Sequence, residues 1–336
     1  MDFQLSEELL ALQETCRRIA QDKVKPRARE IDESGEYPQD LFEVFRDAGL
    51  LGLCIPTELG GSGAGILGLT IAIEEVAKYS NTAALMLLLT RLPTGPVMIA
   101  GSPEQNQRYI APIAEGSKRA AFCLSEPQAG SDVMGMRTKA VRDGDEWVLN
   151  GTKCWISGVV QADWYTVFAK TSDDVTERNH DSISAFIVER GWEGVEVGST
   201  DRKMGVRGVD TGELLLSNVR VPAENVVGAI GGFPLAMQGL NSMRPIVAAR
   251  GIGLHEPVEA AARIVLALLL GLGFLAWTIV GLRKPNTAKW AREVFVLSLV
   301  YLLSGLRQIN QWEVALRFTL GKLSGRVSPG LTMYLP

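Results

Sequence analysis

Two histidines and four cysteines are a sparse supply of metal-seeking side chains for a chain of 336 residues. Cys16, Cys54, Cys123 and Cys154 fall in no CxxC or Cys/His spacing. That excludes the usual zinc centres and points to reduced thiols in a cytosolic setting rather than a disulfide framework. Internal repeats and low-complexity tracts are missing, which excludes solenoids and disordered linkers. No basic stripe interleaved with aromatics is present, so nucleic acid is not an expected partner. The opening Met1-Asp-Phe-Gln-Leu-Ser-Glu-Glu is acidic and polar, unlike a secretory signal.

What is present changes character near residue 254. Residues 255–336 hold nine Lys/Arg against four Asp/Glu, so the overall net charge of −4 leaves the first part at −9. A sign change at the point where hydropathy jumps predicts a boundary. Ile264–Leu282 is a run of 19 residues without a charge. As a helix it would reach about 28 Å, close to the hydrocarbon thickness of a bilayer. Trp277 and Arg283-Lys284 resemble an interfacial anchor. Val294–Leu306 is a shorter apolar run.

Before that boundary the periodicity predicts a helical region followed by strands. Leu5, Leu9, Leu12, Cys16, Ile19 and Val24 recur mostly at steps of three and four, behind Ser6 as cap and Glu7-Glu8 at the positive end of the dipole. Further helices are expected over about 38–49, 66–90 and 103–115. From about 119 the pattern changes to short β-branched and aromatic runs, Trp147–Asn150, Asp163–Lys170, Ser182–Glu189, Val195–Gly198 and Leu214–Val221. Helical character returns at about 233. The expected fold class is α+β multidomain. An N-terminal α-helical domain (1–118) precedes a middle antiparallel β domain (119–230). A truncated C-terminal helical region (231–254) is then replaced by a transmembrane helix or helical hairpin (262–306) and a short tail (307–336).

An ordered set of segments gives the first part a specific resemblance. Ile55-Pro-Thr-Glu-Leu-Gly-Gly-Ser-Gly63 is followed by Leu124-Ser-Glu-Pro-Gln-Ala-Gly-Ser-Asp132, Asn150-Gly-Thr-Lys-Cys-Trp-Ile-Ser157 and Lys203-Met-Gly-Val-Arg-Gly208. Val221-Pro-Ala-Glu-Asn-Val-Val-Gly228 and Arg244-Pro-Ile-Val-Ala-Ala-Arg250 complete it. In this order they resemble the acyl-CoA dehydrogenase family over residues 1–254. The resemblance implies FAD as cofactor, with Phe122, Leu124, Ser125, Gly130, Trp155, Ile156 and Ser157 around the flavin. Ser125 is expected at the pyrimidine side, Ser157 at N5, and Trp155 on the ring near the electron acceptor. Ser131, Asn241 and Arg244 are expected at the acyl-CoA. Gln128 departs from the Gly usual in this loop, and Asn241 stands where an acidic residue is common.

The resemblance also implies the reaction: a proton leaves the carbon α to a thioester while a hydride passes from the β carbon to flavin N5. The implied partners are an acyl-CoA, an electron-transferring flavoprotein and further copies of the chain. The family's base is a glutamate of the C-terminal helical domain, and no carboxylate beyond Leu254 lies in a matching context. No catalytic residue is therefore assigned, and the expected state is an inactive dehydrogenase fragment. Leu306–Pro336 resembles the start of a stomatin/prohibitin-type (SPFH) domain. A rearranged or chimeric chain is expected on that basis, membrane-associated through 264–282, with the flavin domain on the cytoplasmic side, or cytoplasmic if the tail is not native. The alternatives are a membrane-anchored stomatin-like scaffold with a vestigial enzyme domain, and a non-catalytic FAD- or CoA-binding module.

Overall fold

The computed structural model describes residues 4–172 and 180–255, together with four short strands beyond 305. The chain divides into two compact units. One comprises Ser6–Val258; the other comprises Met1–Leu5 with Glu259–Pro336.

The larger unit opens with helices. Helix α1 (Glu7–Ile19) begins where the Ser6 hydroxyl accepts a hydrogen bond from the Leu9 amide at 3.3 Å. It runs through a π-helical turn (Ala20–Val24) into α2 (Lys25–Ser34), which Gly35 stops in the left-handed conformation at φ 71°. Then come α3 (Gln39–Asp47), α4 (Gly65–Ala77), α5 (Asn81–Leu88), α6 (Thr94–Ala100), α7 (Pro103–Gln105) and α8 (Ala111–Ala114). Helix α4 is buried along most of its length, and α5 is buried from Thr82 to Leu88. Their apolar faces, with Phe45, Leu50 and Leu51, form the core of this region.

An eight-stranded sheet follows: β1 (Ala120–Cys123), β2 (Lys139–Asp143), β3 (Glu146–Ser157), β4 (Trp164–Lys170), β5 (Ile183–Glu189), β6 (Val195–Thr200), β7 (Thr211–Pro222) and β8 (Val226–Val227). The order is β6-β7-β3-β2-β4-β5-β8, with β1 also beside β4. The sheet is mixed rather than purely antiparallel, because β1 and β2 both run parallel to β4. Every residue of β4 is buried, as a strand covered on both faces requires. A helix from 233 to 255 ends the described part of this unit, and its Met243 and Ile246 join the helical core.

In the smaller unit β9 (Leu306–Ile309) pairs antiparallel with β12 (Gly330–Met333), and β10 (Ala315–Thr319) with β11 (Lys322–Val327). The expected span at Ile264–Leu282 and the shorter apolar run Val294–Leu306 lie outside the described residues, except Leu306, which opens β9. Among the described residues no helix is long and apolar enough to cross a membrane. The fold class with a transmembrane helix or hairpin is corrected to the described helical region, mixed sheet and helix 233–255: lack of charge over a run is a feature of composition, and composition alone does not make a span.

Candidate active site

A cleft of about 420 Å³ opens between the sheet, the end of α5 and the helix 233–255. Its volume falls in the range of small-molecule sites. Leu89 and Leu92 come from the helical region. Phe122, Leu124, Ser125, Gly130, Ser131 and Val133 come from β1 and the loop after it. Trp155, Ile156 and Ser157 end β3, and Met237 and Leu240 lie on the last helix. Eight of the ten expected site residues thus meet on one surface, although Phe122 and Ser157 are 35 positions apart in sequence. Asn241 and Arg244 do not line it. Both are exposed on the helix 233–255, where Arg244 lies one turn beyond Leu240 and Asn241 one turn beyond Met237.

The end of β3 is aimed by a bulge. Its pairing with β7 shifts register between Lys153 and Ile156, and Trp155 inside that shift adopts φ 57°. A bulge of this kind re-aims side chains beside functional sites. Ile156 turns into the core, 2% exposed, while the Trp155 indole stands 57% exposed at the cleft. Where β3 leaves β7, the Cys154 amide instead donates to the Ser125 carbonyl at 3.0 Å. The two hydroxyl-bearing walls, Ser125 and Ser157, are therefore joined by backbone.

The turn after Ser157 is held by Asp210. Its carbonyl accepts from the Gly158 amide at 2.9 Å, and its carboxylate accepts from the Val160 amide at 2.8 Å. Burial pushes this carboxyl above its ordinary range, partly offset by the Val160 amide and by Lys203. Beneath the Ser125 loop, Glu126 and Lys153 form an ion pair at 2.7 Å with side chains 2% and 0% exposed. Burial alone would raise the Glu126 carboxyl, but the Lys153 ammonium and the amide donors around it hold the carboxyl below its ordinary value. Neither Asp210 nor the buried pair was among the expected site residues. The signal available was Glu126 inside Ser-Glu-Pro and Lys153 inside the Asn-Gly-Thr-Lys segment.

The cysteines are unbridged. Burial pushes the Cys16 thiol up to about 12 and the Cys54 thiol up to about 11, so neither is a ready thiolate at neutral pH.

FAD fits this surface. A Cβ built on Gly130 would meet nothing within 4 Å, so the backbone there borders open cleft instead of packed protein. The apolar walls Phe122, Leu124 and Ile156, the Ser125 and Ser157 hydroxyls and the exposed indole suit an aromatic ring system with polar edges.

Residues 6–117 match the acyl-CoA dehydrogenase N-terminal domain, and residues 121–219 match the middle domain. The probable acyl-CoA dehydrogenase FadE25 of Mycobacterium tuberculosis is 37% identical over 77% of this chain and 66% of its own length. The short-chain-specific acyl-CoA dehydrogenase of Clostridium acetobutylicum is 37% identical over 78% of this chain and 69% of its own. The structure of butyryl-CoA dehydrogenase from Megasphaera elsdenii superposes with a TM-score of 0.72 at 30% identity, covering 90% of this chain and 78% of that one. The chain thus spans about two thirds of the length of these curated relatives.

These findings correct the reading of the region after Leu254. Residues 1–254 are about three quarters of the chain, yet the likeness to butyryl-CoA dehydrogenase covers 90% of it and so extends past that boundary. The expected junction of a truncated dehydrogenase with a membrane segment and the start of an SPFH protein does not stand, nor does a chimeric origin. Membrane partnership and membrane-associated localisation rested on the same junction and fall with it. So do the stomatin-like scaffold and the expected inactivity, which assumed that the C-terminal helical region had been replaced. The chain belongs to the acyl-CoA dehydrogenase family of FAD-dependent oxidoreductases, which act on CH–CH bonds.

Proposed function

We propose that the chain catalyses α,β-dehydrogenation of an acyl-CoA thioester. The observation that carries this reading is the single cleft in which the Ser125 loop and the bulged end of β3 face the helix 233–255. FAD, when bound, would supply the acceptor for the hydride that leaves the β carbon, and the α proton would pass to a base from outside the residues that line the cleft, none of which is a carboxylate. Ser125 would orient the pyrimidine side of the flavin, and Ser157 would donate at N5. Leu124, Phe122 and Ile156 exclude water from the ring. Trp155 covers the ring on the side open to solvent, where an electron-transferring flavoprotein would approach.

Ser131 is exposed at the cleft mouth and suits contact with the CoA portion. Leu89, Leu92, Met237 and Leu240 form the apolar wall for the acyl chain. Likeness to the short-chain-specific, butyryl-CoA and cyclohexane-1-carbonyl-CoA dehydrogenases favours a compact acyl group. Asn241 and Arg244, on the stripe that continues from Met237 and Leu240, are assigned to the thioester end of the substrate. Assembly into homo-oligomers belongs to the same reading.

The test is FAD binding by the purified chain, read by flavin fluorescence, beside Gly130→Val. Saturable binding to the wild type and a loss of at least tenfold in the variant support the reading. Absence of binding to the wild type would overturn it.

A further inference from the structure

We propose that the buried Lys153–Glu126 pair, with Gln128, is a positioning device that sets the spacing of the two flavin-contacting walls and thereby tunes flavin affinity and potential. This rests on the reading of the cleft as a flavin site.

The argument starts from connectivity. Glu126 follows Ser125 directly, and Lys153 lies two residues before Trp155. Lys153 donates from Nζ to Glu126 Oε1 at 2.7 Å and to the Leu124 carbonyl at 3.2 Å. The same Oε1 accepts from the Thr138 amide at 3.0 Å. The other oxygen, Oε2, accepts from the Arg137 amide and from Gln128 Nε2, both at 2.6 Å. Glu126 also closes a tight turn, exchanging backbone hydrogen bonds with Ala129 at 3.1 and 3.0 Å. One carboxylate with every acceptor position used therefore ties together the Ser125 loop, the segment at 137–138 that leads into β2, and the end of β3.

Burial makes this arrangement demanding. A lysine with a fully buried side chain keeps its charge only where a partner and further acceptors are fixed in place, so the pair tolerates few geometries. An apolar contact would hold the same two segments together without fixing their register. Charge-assisted hydrogen bonds are directional, and here they act within two residues of Ser125 on one wall and Trp155 on the other. Gln128 adds a further element. Its side chain supplies the last donor to Glu126 although the residue itself is exposed.

Three variants test the inference in the full chain: Lys153→Met/Glu126→Gln, which removes both charges and leaves neither group unpaired as an ion; Lys153→Arg, which keeps the charge; and Gln128→Ala, a surface change. FAD dissociation constant, flavin two-electron potential and thermal unfolding are measured for each. The expected result for the double variant is at least a tenfold loss of FAD affinity. Weakened donation from Ser125 to the pyrimidine side, where reduced flavin carries its negative charge, should make the loss for reduced flavin tenfold greater than for oxidised flavin, lowering the potential by about 30 mV. Lys153→Arg should recover most of that potential, and Gln128→Ala should weaken FAD about threefold with unchanged thermal unfolding.

A merely structural pair would shift unfolding and leave the potential alone. A folded double variant with wild-type affinity and potential would overturn the inference. If the double variant does not fold, wild-type FAD affinity in Gln128→Ala overturns it. A wild type that binds no FAD overturns the flavin reading itself, and a wild type that binds while the variants match it overturns only this inference.

Discussion

Trp155 concentrates the tension between folding and function at the scale of single residues. A bulky side chain in the left-handed region costs on the order of 1–2 kcal/mol, and this one leaves its indole mostly in solvent instead of the core. Trp155→Gly should therefore leave stability unchanged or raise it by up to about 1 kcal/mol, because glycine adopts φ 57° without strain. The same variant should bind FAD at least fivefold more weakly; urea unfolding and flavin fluorescence read the two effects separately. Glu126 gives a pH dependence. Its carboxyl is held below the ordinary 4.5 in the folded chain, so the stability it contributes is present above that value and lost as pH falls through the lower folded value. Thermal unfolding followed from pH 6 down to pH 3 should show a decline that the Lys153→Met/Glu126→Gln variant lacks in part. The polar members of the cleft were legible because serines, glycine and tryptophan in a fixed order are rare by chance. Leu89, Leu92, Met237 and Leu240 were not, since an apolar residue at a cleft carries the same periodic signature as one in the core.

At the scale of elements, caps and close approaches decide what can change. Ser80 caps α5 by accepting from the Ala83 amide at 3.2 Å, and the site is buried. Ser80→Ala should cost about 1–2 kcal/mol, measured by urea unfolding, with FAD affinity unchanged in the folded fraction. Gly61 lies where the loop from Ile55 folds back on itself, and a Cβ there would fall 1.9 Å from the Ile55 carbonyl oxygen. Gly61→Ala should cost about 3 kcal/mol or more, since the obstruction is backbone and cannot rotate away. The first helix was readable from its cap and its spacing, and the sequence periodicity ran through the π-helical turn without a break. The strands β1 and β2 were not read. β1 has four residues, lies parallel to β4 and lacks the polar alternation that marks a half-exposed strand. Helix α6 escaped for a similar reason: Pro93, Gly95 and Pro96 signal a loop, while burial of Thr94 to Val97 supplies the packing that overrides them.

For the whole molecule, the cleft exists because three regions distant in sequence converge on it, and none would form it alone. The ordered segments up to Arg250 made the family legible. The apolar run at 264–282 misdirected the reading beyond it, because length and lack of charge describe a membrane span and an internal helix equally well. Likeness to the family extending over 90% of the chain overturns the junction that this run suggested. The most direct measurement is anaerobic mixing of the FAD-loaded chain with acyl-CoA thioesters of increasing length, following flavin absorbance and the thioester product. The account predicts bleaching of the oxidised flavin by a short acyl-CoA with stoichiometric formation of the α,β-unsaturated thioester. Stable FAD binding with no bleaching by any acyl-CoA, and no unsaturated product, would contradict it.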